Sequence, residues 1–136
     1  MPTSPNDQDP FADAPIIYRY TRAQAIDDGV LVDLSRWAGE TGFRIPVACT
    51  QAVWSDYIEP PEGTLDAGQS QRGRAHDVLW MLYSSIKRSL PGESELRYDV
   101  IFLNDQLEHE TVTLKAVCGP GDEGEPVMTI MLPHED

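Results

Sequence analysis

A transition-metal site in this chain would draw on its three histidines, its two cysteines and nearby carboxylates. His76, His109, His134, Cys49 and Cys118 include no pair at the C-x-x-C or H-x-x-x-H spacing that places two ligands on one turn. We therefore expect no metal site and interpret the histidines as surface or helix-end residues. Each cysteine lies in an apolar stretch without an adjacent basic group, so we expect two buried, unreactive thiols.

Aromatic and cationic side chains alternate in residues 18–22. Such a group could recognise a phosphate or a planar ligand, whereas a strand-to-helix junction with an amphipathic first turn explains the same pattern. The ligand-binding interpretation predicts one pocket, lined by Tyr18, Tyr20, Arg22, Trp54 and Trp80. The two interpretations differ in whether these five side chains converge.

The segment 119–126 is rich in glycine and proline and contains three carboxylates, Asp122, Glu123 and Glu125, which could bind Ca²⁺. It lacks the alternating oxygen ligands and the terminal bidentate glutamate of an EF-hand, so we interpret it as a solvated hairpin loop. The chain contains no Gly-rich phosphate loop, dinucleotide fingerprint or hydrolase nucleophile elbow. We therefore expect no cofactor, and the sequence has no positive sign of an enzyme.

Net charge is the unusual feature of the composition. The 136 residues include 23 Asp and Glu against 10 Lys and Arg, a net charge of −13. Residues 90–136 contain 11 of these acids and only two bases, Arg97 and Lys115, a balance of −9. Such a field repels nucleic acid and anionic membranes and attracts basic surfaces. We therefore expect no direct binding to nucleic acid or membrane, and a protein with a basic surface as partner.

The predicted contact surface for that partner lies within residues 93–125. It comprises nine carboxylates: Glu93, Glu95, Asp99, Asp105, Glu108, Glu110, Asp122, Glu123 and Glu125. The alternative interpretation is that the charge only keeps a small protein soluble, since net charge acts first on solubility.

The hydrophobic pattern predicts one α+β domain over residues 15–136 after a flexible acidic tail over residues 1–14. Short strands are predicted at residues 16–20 and 30–32. The residue that follows each strand, Thr21 or Asp33, is suited to cap a short helix.

A third helical segment is predicted to begin at Thr50 and to end at Pro60. Residues 60–73 are rich in Pro, Gly, Ser and Gln and predict a mobile loop. The strongest helical pattern follows at residues 77–88, where Leu79, Leu82 and Ile86 form an apolar stripe.

The remainder of the chain predicts three antiparallel strands in series. They cover residues 97–103, 111–116 and 127–132, and the last is continuously apolar, so we expect it to be central in the sheet. The predicted architecture therefore has short N-terminal strands and helices and one long amphipathic helix packed on a C-terminal sheet of about three strands. No stretch is long and apolar enough to span a membrane and no signal peptide is evident, so we expect a cytoplasmic protein.

Three stretches together carry a family resemblance: IYRYTRAQAIDDGVLVD at residues 17–33, DVLWM at residues 77–81 and LKAVCGPGDEGEPVMTIMLP at residues 114–133. The chain resembles the domain-of-unknown-function 6573 family over nearly everything from residue 16 to its end, apart from the loop over residues 60–73. The resemblance implies no activity, cofactor or catalytic residue. It does imply an origin in bacterial plasmids, integrated elements and phages, whose small acidic proteins are often inhibitors of host defence systems.

Charge and resemblance together favour a non-enzymatic acidic interaction protein that binds a basic partner surface. The resemblance further suggests that the partner is a host defence or nucleic-acid-handling complex. A small-ligand-binding or minor enzymatic domain that uses the aromatic and arginine pocket is the second interpretation. An acidic ridge without a cleft would favour the first, and a deep aromatic pocket the second.

Overall fold

The computed structural model describes residues 19–136. The predicted tail over residues 1–14 and most of the predicted strand over residues 16–20 lie outside the described residues. The remaining two residues of that strand, Arg19 and Tyr20, have no regular secondary structure. The first described element is therefore the helix predicted after Thr21.

Helix α1 (Arg22–Asp27) begins with a capping box at Thr21. The Thr21 hydroxyl accepts a hydrogen bond from the Gln24 amide at 3.0 Å, and the Gln24 side chain accepts one from the Thr21 amide at 2.9 Å. Gly29 follows the helix with a φ of +80° and lets the chain turn into strand β1 (Leu31–Asp33). The predicted helix and strand are both confirmed.

Helix α2 (Ser35–Thr41) has Leu34 at its cap position, one residue later than the predicted cap Asp33. The Asp33 carboxylate still accepts a hydrogen bond from the Ser35 amide at 2.9 Å. The helix ends at Gly42, whose φ is +126°. Strand β2 (Val47–Thr50) follows, and its first three residues are buried. The sequence analysis does not predict β2, because a short strand that is buried on both faces shows no alternation of polar and apolar residues.

Thr50 caps helix α3 (Gln51–Val53), which continues as a π-helical turn over Trp54–Ile58. In this turn the Glu59 amide donates to the Trp54 carbonyl, five residues earlier, at 2.8 Å. Pro60 follows, and the helical segment ends there as predicted because proline lacks the amide that would continue it.

The long helix α4 (Gln71–Arg88) begins at Gln71, earlier than the predicted start at Asp77. Ser70 caps it, because the serine hydroxyl accepts a hydrogen bond from the Gly73 amide at 3.0 Å. The predicted loop over residues 60–73 is therefore too long, since Gly73 and the polar residues before it form the first helical turn. None of the helices within residues 19–136 combines the length and the apolar character that crossing a membrane requires.

Strands β3 (Glu95–Leu103), β4 (His109–Pro120) and β5 (Pro126–Met131) pair antiparallel in series, as predicted. Strand β2 pairs in parallel with β5, and β1 pairs antiparallel with β2, so the order is β1-β2-β5-β4-β3. The prediction of about three antiparallel strands is corrected to a mixed sheet of five, because the N-terminal strands join it. The central position of β5 is confirmed.

Helix α4 packs on one face of the sheet and forms the core with α2 and α3. Val78, Leu79 and Leu82 of α4 are fully buried in one cluster with side chains of β2, β3, β4 and β5. The Tyr98 hydroxyl of β3 donates to the Val78 carbonyl at 3.2 Å, and burial raises the pKa of Tyr98 well above its ordinary value. The predicted packing of the amphipathic helix on the sheet is confirmed.

The opposite face of the sheet contacts α1 and the C-terminal residues. The Arg22 guanidinium donates to the Thr129 hydroxyl at 2.7 Å and to the Met128 carbonyl at 2.8 Å. The Lys115 ammonium, also on this face, donates to the Glu135 carbonyl. On this face two cations, Arg22 and Lys115, therefore act as internal hydrogen-bond donors.

The two cysteines are both free thiols. Cys49 is fully buried, and burial raises its pKa to about 12. Cys118 is half-buried. The prediction of a buried thiol is confirmed for Cys49 and holds only in part for Cys118.

Candidate functional site

Two hairpins connect β4 to its neighbours, the first over residues 104–108 and the second over residues 121–125. In each, the amide of the first residue donates to the carbonyl of the fifth, at 2.9 and 2.6 Å respectively. The amide of the fourth residue donates to the carbonyl of the first, at 3.0 and 3.1 Å. That fourth residue has a positive φ, +60° at Leu107 and +84° at Gly124. The two loops therefore share one backbone conformation, the three-residue hairpin loop with a left-handed residue.

Two of the three carboxylates of the second hairpin accept hydrogen bonds within the fold. The Asp122 carboxylate accepts hydrogen bonds from the Arg22 amide at 2.7 Å and from the Ala23 amide at 3.0 Å, in the first turn of α1. These two donors lower the pKa of Asp122 below its ordinary value. The Glu125 carboxylate accepts a hydrogen bond from the Glu123 amide at 2.9 Å. This hairpin therefore uses two of its three acids as structural acceptors.

The first hairpin is stabilised by an amide side chain. The Asn104 side-chain oxygen accepts hydrogen bonds from the Gln106 amide at 2.9 Å and from the Glu108 amide at 3.0 Å. Asp105, which occupies the position equivalent to Asp122, has no hydrogen-bond partner for its carboxylate within residues 19–136. The acids of this hairpin are therefore not needed to form the turn.

The nine carboxylates of the predicted contact surface do not form one patch. Strand β4 has 12 residues and separates the two hairpins by roughly 36 Å at about 3.3 Å per residue. Asp99 lies between the ends and accepts a hydrogen bond from the Thr113 hydroxyl at 2.7 Å. The first end carries Asp105, Glu108 and Glu110, and the second end carries Glu93, Glu95, Asp122, Glu123 and Glu125.

A cavity of about 670 Å³, here called the acidic cavity, opens beside the first hairpin. Its wall combines two segments far apart in sequence, the π-helical turn with the loop after it, and the hairpin with the start of β4. They contribute five carboxylates: Asp56, Glu59, Glu62, Asp105 and Glu110. The sequence analysis misses the first three, whose only sequence signal is their regular spacing, because the fold brings the two segments together.

Arg74 is the one cation among the described residues of the cavity wall, and it is only 3% exposed. Its Nε donates to the Tyr57 carbonyl at 2.5 Å, and its Nη1 donates to the Leu103 carbonyl at 3.0 Å. Its guanidinium carbon lies 4.9 Å from the Phe102 ring centroid, and burial lowers its pKa. Arg74 therefore links the π-helical turn to the base of the first hairpin through backbone carbonyls.

The carboxylates of the acidic cavity have no salt-bridge partner within residues 19–136, where the ion pairs are Arg72 with Glu40 and Arg97 with Glu95. Burial raises the pKa of Tyr57, and the negative charges of Glu110 and Asp56 raise it further to a smaller extent. Asp56 and Tyr57 both belong to the π-helical turn, a conformation that is often found at functional sites.

The alternative pocket predicted from aromatic and arginine residues is not assembled from the side chains that the structure describes. Tyr20 is 53% exposed, and its hydroxyl donates to a carboxylate beside α1. Arg22 contacts the face of the sheet opposite α4, whereas Trp54 packs against the core on the α4 side and Trp80 is half exposed on α4 itself. Tyr18 lies outside the described residues. The pattern in residues 18–22 is therefore better explained by the start of α1.

Arg22 lines a second cavity, of about 700 Å³, together with residues of β1, β5 and the C-terminus. Burial lowers the pKa of Arg22, and the nearby carboxylates of Asp33, Asp122 and Glu125 act against that shift. In the described part of the chain, no three His, Cys, Asp or Glu side chains are arranged to hold a metal ion.

Comparison with known proteins gives one match. The model of a family of unknown function, DUF6573, matches residues 8–136 and so includes the three stretches that carry the resemblance. No curated protein and no solved structure matches the chain. The chain therefore belongs to the DUF6573 family of unknown function.

Proposed function

We propose that this protein is a non-enzymatic interaction protein that binds a basic surface of a partner protein through the acidic cavity and the first hairpin. The proposal rests on one observation, which is that five carboxylates line the same cavity. They are Asp56, Glu59, Glu62, Asp105 and Glu110. Carboxylates gathered in this way repel one another, and a cationic partner relieves that repulsion.

The hairpin tip supports the same function. Leu107 is 58% exposed at the tip, although a left-handed backbone is unfavourable for leucine by about 1–2 kcal/mol. Strain of this kind tends to occur at functional sites. An exposed apolar side chain between Asp105 and Glu108 supplies the apolar contact that a purely charged surface lacks.

The class of partner follows from charge complementarity. A protein surface that binds the phosphates of nucleic acid presents lysine and arginine, and such a surface matches an array of carboxylates. We therefore propose a nucleic-acid-handling protein as the partner. The origin in mobile elements and the inhibition of host defence, which the family resemblance implies, remain predictions of this proposal.

The test compares two triple variants that remove the same charge and differ only in position. The cavity variant combines Glu59→Gln, Glu62→Gln and Asp105→Asn. The control variant combines Glu93→Gln, Glu123→Gln and Asp27→Asn, which are exposed carboxylates away from the cavity wall. Binding of a fluorescent decalysine peptide is measured by anisotropy, at low ionic strength and at about 0.15 M.

We expect the cavity variant to bind decalysine about tenfold more weakly than the wild type, because three charge pairs of up to about 1 kcal/mol each are lost. The control variant should lose less than about half of that free energy, since it changes only the long-range field. Equal losses in the two variants would show that net charge, and not the acidic cavity, attracts the basic peptide.

A further inference from the structure

The outer surface of α4 carries a stripe of five side chains, here called the α4 stripe: Arg72, His76, Trp80, Tyr83 and Lys87. Their spacing of three and four residues places them on one face of the helix, beside the buried face. The stripe contains two cations, one imidazole and two aromatic rings, and none of its members is a carboxylate.

The aromatic residues of the stripe form a continuous stack. Trp80 is 50% exposed, and its ring lies 6.1 Å from the Tyr83 ring at an interplanar angle of 25°. The Lys87 ammonium lies 4.9 Å from the centroid of the Tyr83 ring, and Phe43 meets the same ring edge-on at 5.5 Å. Tyr83 is thus fixed by neighbours on several sides and supports an exposed indole.

A concave region lies at the beginning of the stripe. Arg72 and His76 line a cavity of about 480 Å³, together with Trp37 and Glu40 of α2 and the residues that cap α4. Trp80 does not line this cavity but lies one helical turn beyond His76, which does. A large half-exposed aromatic residue of this kind often anchors a partner protein at an interface.

The region around the α4 stripe, which comprises α2, α4 and the residues between α2 and β2, has a net charge opposite in sign to that of the whole protein. Apart from the buried Arg74, helices α2 and α4 and residues 42–46 contain five Lys and Arg and only two carboxylates, Glu40 and Asp77, in a chain whose net charge is −13. Glu40 is paired with Arg72 at 2.9 Å, which leaves Lys87 as the stripe's cation without a carboxylate within salt-bridge distance in residues 19–136.

We propose that the α4 stripe is a second docking surface, which binds an acidic, partly apolar segment of a partner protein with Trp80 as the apolar anchor. A carboxylate of the segment meets Lys87, and an apolar side chain of the segment packs on the Trp80 and Tyr83 rings. The stripe and the acidic cavity are opposite in charge, so the protein binds two kinds of surface. This inference does not depend on the function proposed for the acidic cavity.

The probe for this surface is a fluorescein-labelled decapeptide that alternates glutamate with phenylalanine and leucine. Trp80→Ala is compared with Ile101→Ala, which also removes a large exposed apolar side chain, from strand β3. Lys87→Gln is compared with Arg88→Gln, its neighbour with the same charge, which points about 100° away around the helix. Circular dichroism confirms that each variant is folded.

We expect Trp80→Ala to weaken binding of the acidic peptide by about tenfold or more, and Lys87→Gln to weaken it by about threefold. Ile101→Ala and Arg88→Gln should leave the dissociation constant within about twofold of the wild type. Binding of decalysine should be unchanged in Trp80→Ala, which separates this surface from the acidic cavity. Absence of binding to the wild type, or equal losses in the stripe variants and their controls, would overturn the proposal.

Discussion

The two hairpins beside β4 have the same backbone hydrogen bonds and use their side chains differently. At the left-handed position the second hairpin has Gly124, which adopts that backbone at little cost, whereas the first has the exposed Leu107. The second residue of each hairpin is an aspartate. The Asp122 carboxylate accepts hydrogen bonds from two amides of α1, whereas the Asp105 carboxylate has no hydrogen-bond partner within residues 19–136. The second hairpin is therefore built for stability, and the first keeps its side chains exposed.

This difference shows that the availability of a charge depends on the elements packed around it. Helix α1 begins next to the second hairpin, so the positive end of its backbone binds Asp122. The π-helical turn lies next to the first hairpin and adds carboxylates of its own to the wall of the acidic cavity. Two loops with the same conformation are thereby suited to different tasks.

The largest expected effect on stability concerns Arg74, which donates a hydrogen bond to the Leu103 carbonyl at the base of the first hairpin. Arg74→Met removes charged hydrogen bonds to the Tyr57 and Leu103 carbonyls and leaves buried acceptors unpaired, so we expect a loss of about 2–4 kcal/mol in the free energy of unfolding. Urea denaturation measures the change. Arg72→Met, which breaks only a surface ion pair, is the control and should cost less than about 1 kcal/mol. Similar losses in both variants would mean that Arg74 does not hold this end of the sheet.

An exchange of residues at the left-handed positions tests the comparison directly. Leu107→Gly should raise the free energy of unfolding by about 0.5–1 kcal/mol, because it relieves an unfavourable backbone at the cost of a more flexible unfolded chain. Gly124→Leu should lower it by a similar amount, since an added Cβ meets no atom within 4 Å and only the backbone is strained. If both variants shift the urea midpoint in the same direction, the two turns are not equivalent.

A smaller effect is expected at the two aspartates, and it depends on pH. The folded pKa of Asp122 is below its ordinary 3.8, so this group stabilises the fold above the unfolded pKa, and the contribution is lost as pH falls through the folded value. Asp122→Asn should therefore be less stable than the wild type above about pH 5, and the difference should shrink in more acidic solution. Asp105→Asn is the matched control. A stability difference at Asp122 that does not change with pH would exclude the hydrogen bonds to α1 as its cause.

Several elements of the fold are predictable from local sequence signals. Thr21 and Gln24 specify the start of α1, Pro60 ends the third helical segment, and the apolar run of β5 indicates a central strand. In these cases a cap, a breaker or a pattern acts within a few residues of the element that it defines. The start of α4 is missed because Gly73 is unusual in a helix, although Ser70 is a good cap.

The candidate site is predicted only in part, because it depends on which segments meet. Asp105 and Glu110 are found from the charge of the C-terminal third, but Glu59 is not, since no local signal places it opposite the first hairpin. The same limit applies to Asp122, whose bonds to α1 span about one hundred residues of sequence. Strand β2 is missed for a different reason, because it has only four residues and shows no alternation of polar and apolar side chains.

The central claim is that a basic partner binds at the first hairpin and not at the second. Amide chemical-shift mapping of the ¹⁵N-labelled wild-type protein with decalysine tests this claim without any substitution. We expect the largest shift changes in residues 55–62 and 103–110, which contain most of the residues that line the acidic cavity, and small changes in residues 121–125. Shift changes that are centred on residues 93–95 and 121–125, or spread evenly over all exposed carboxylates, would contradict the account.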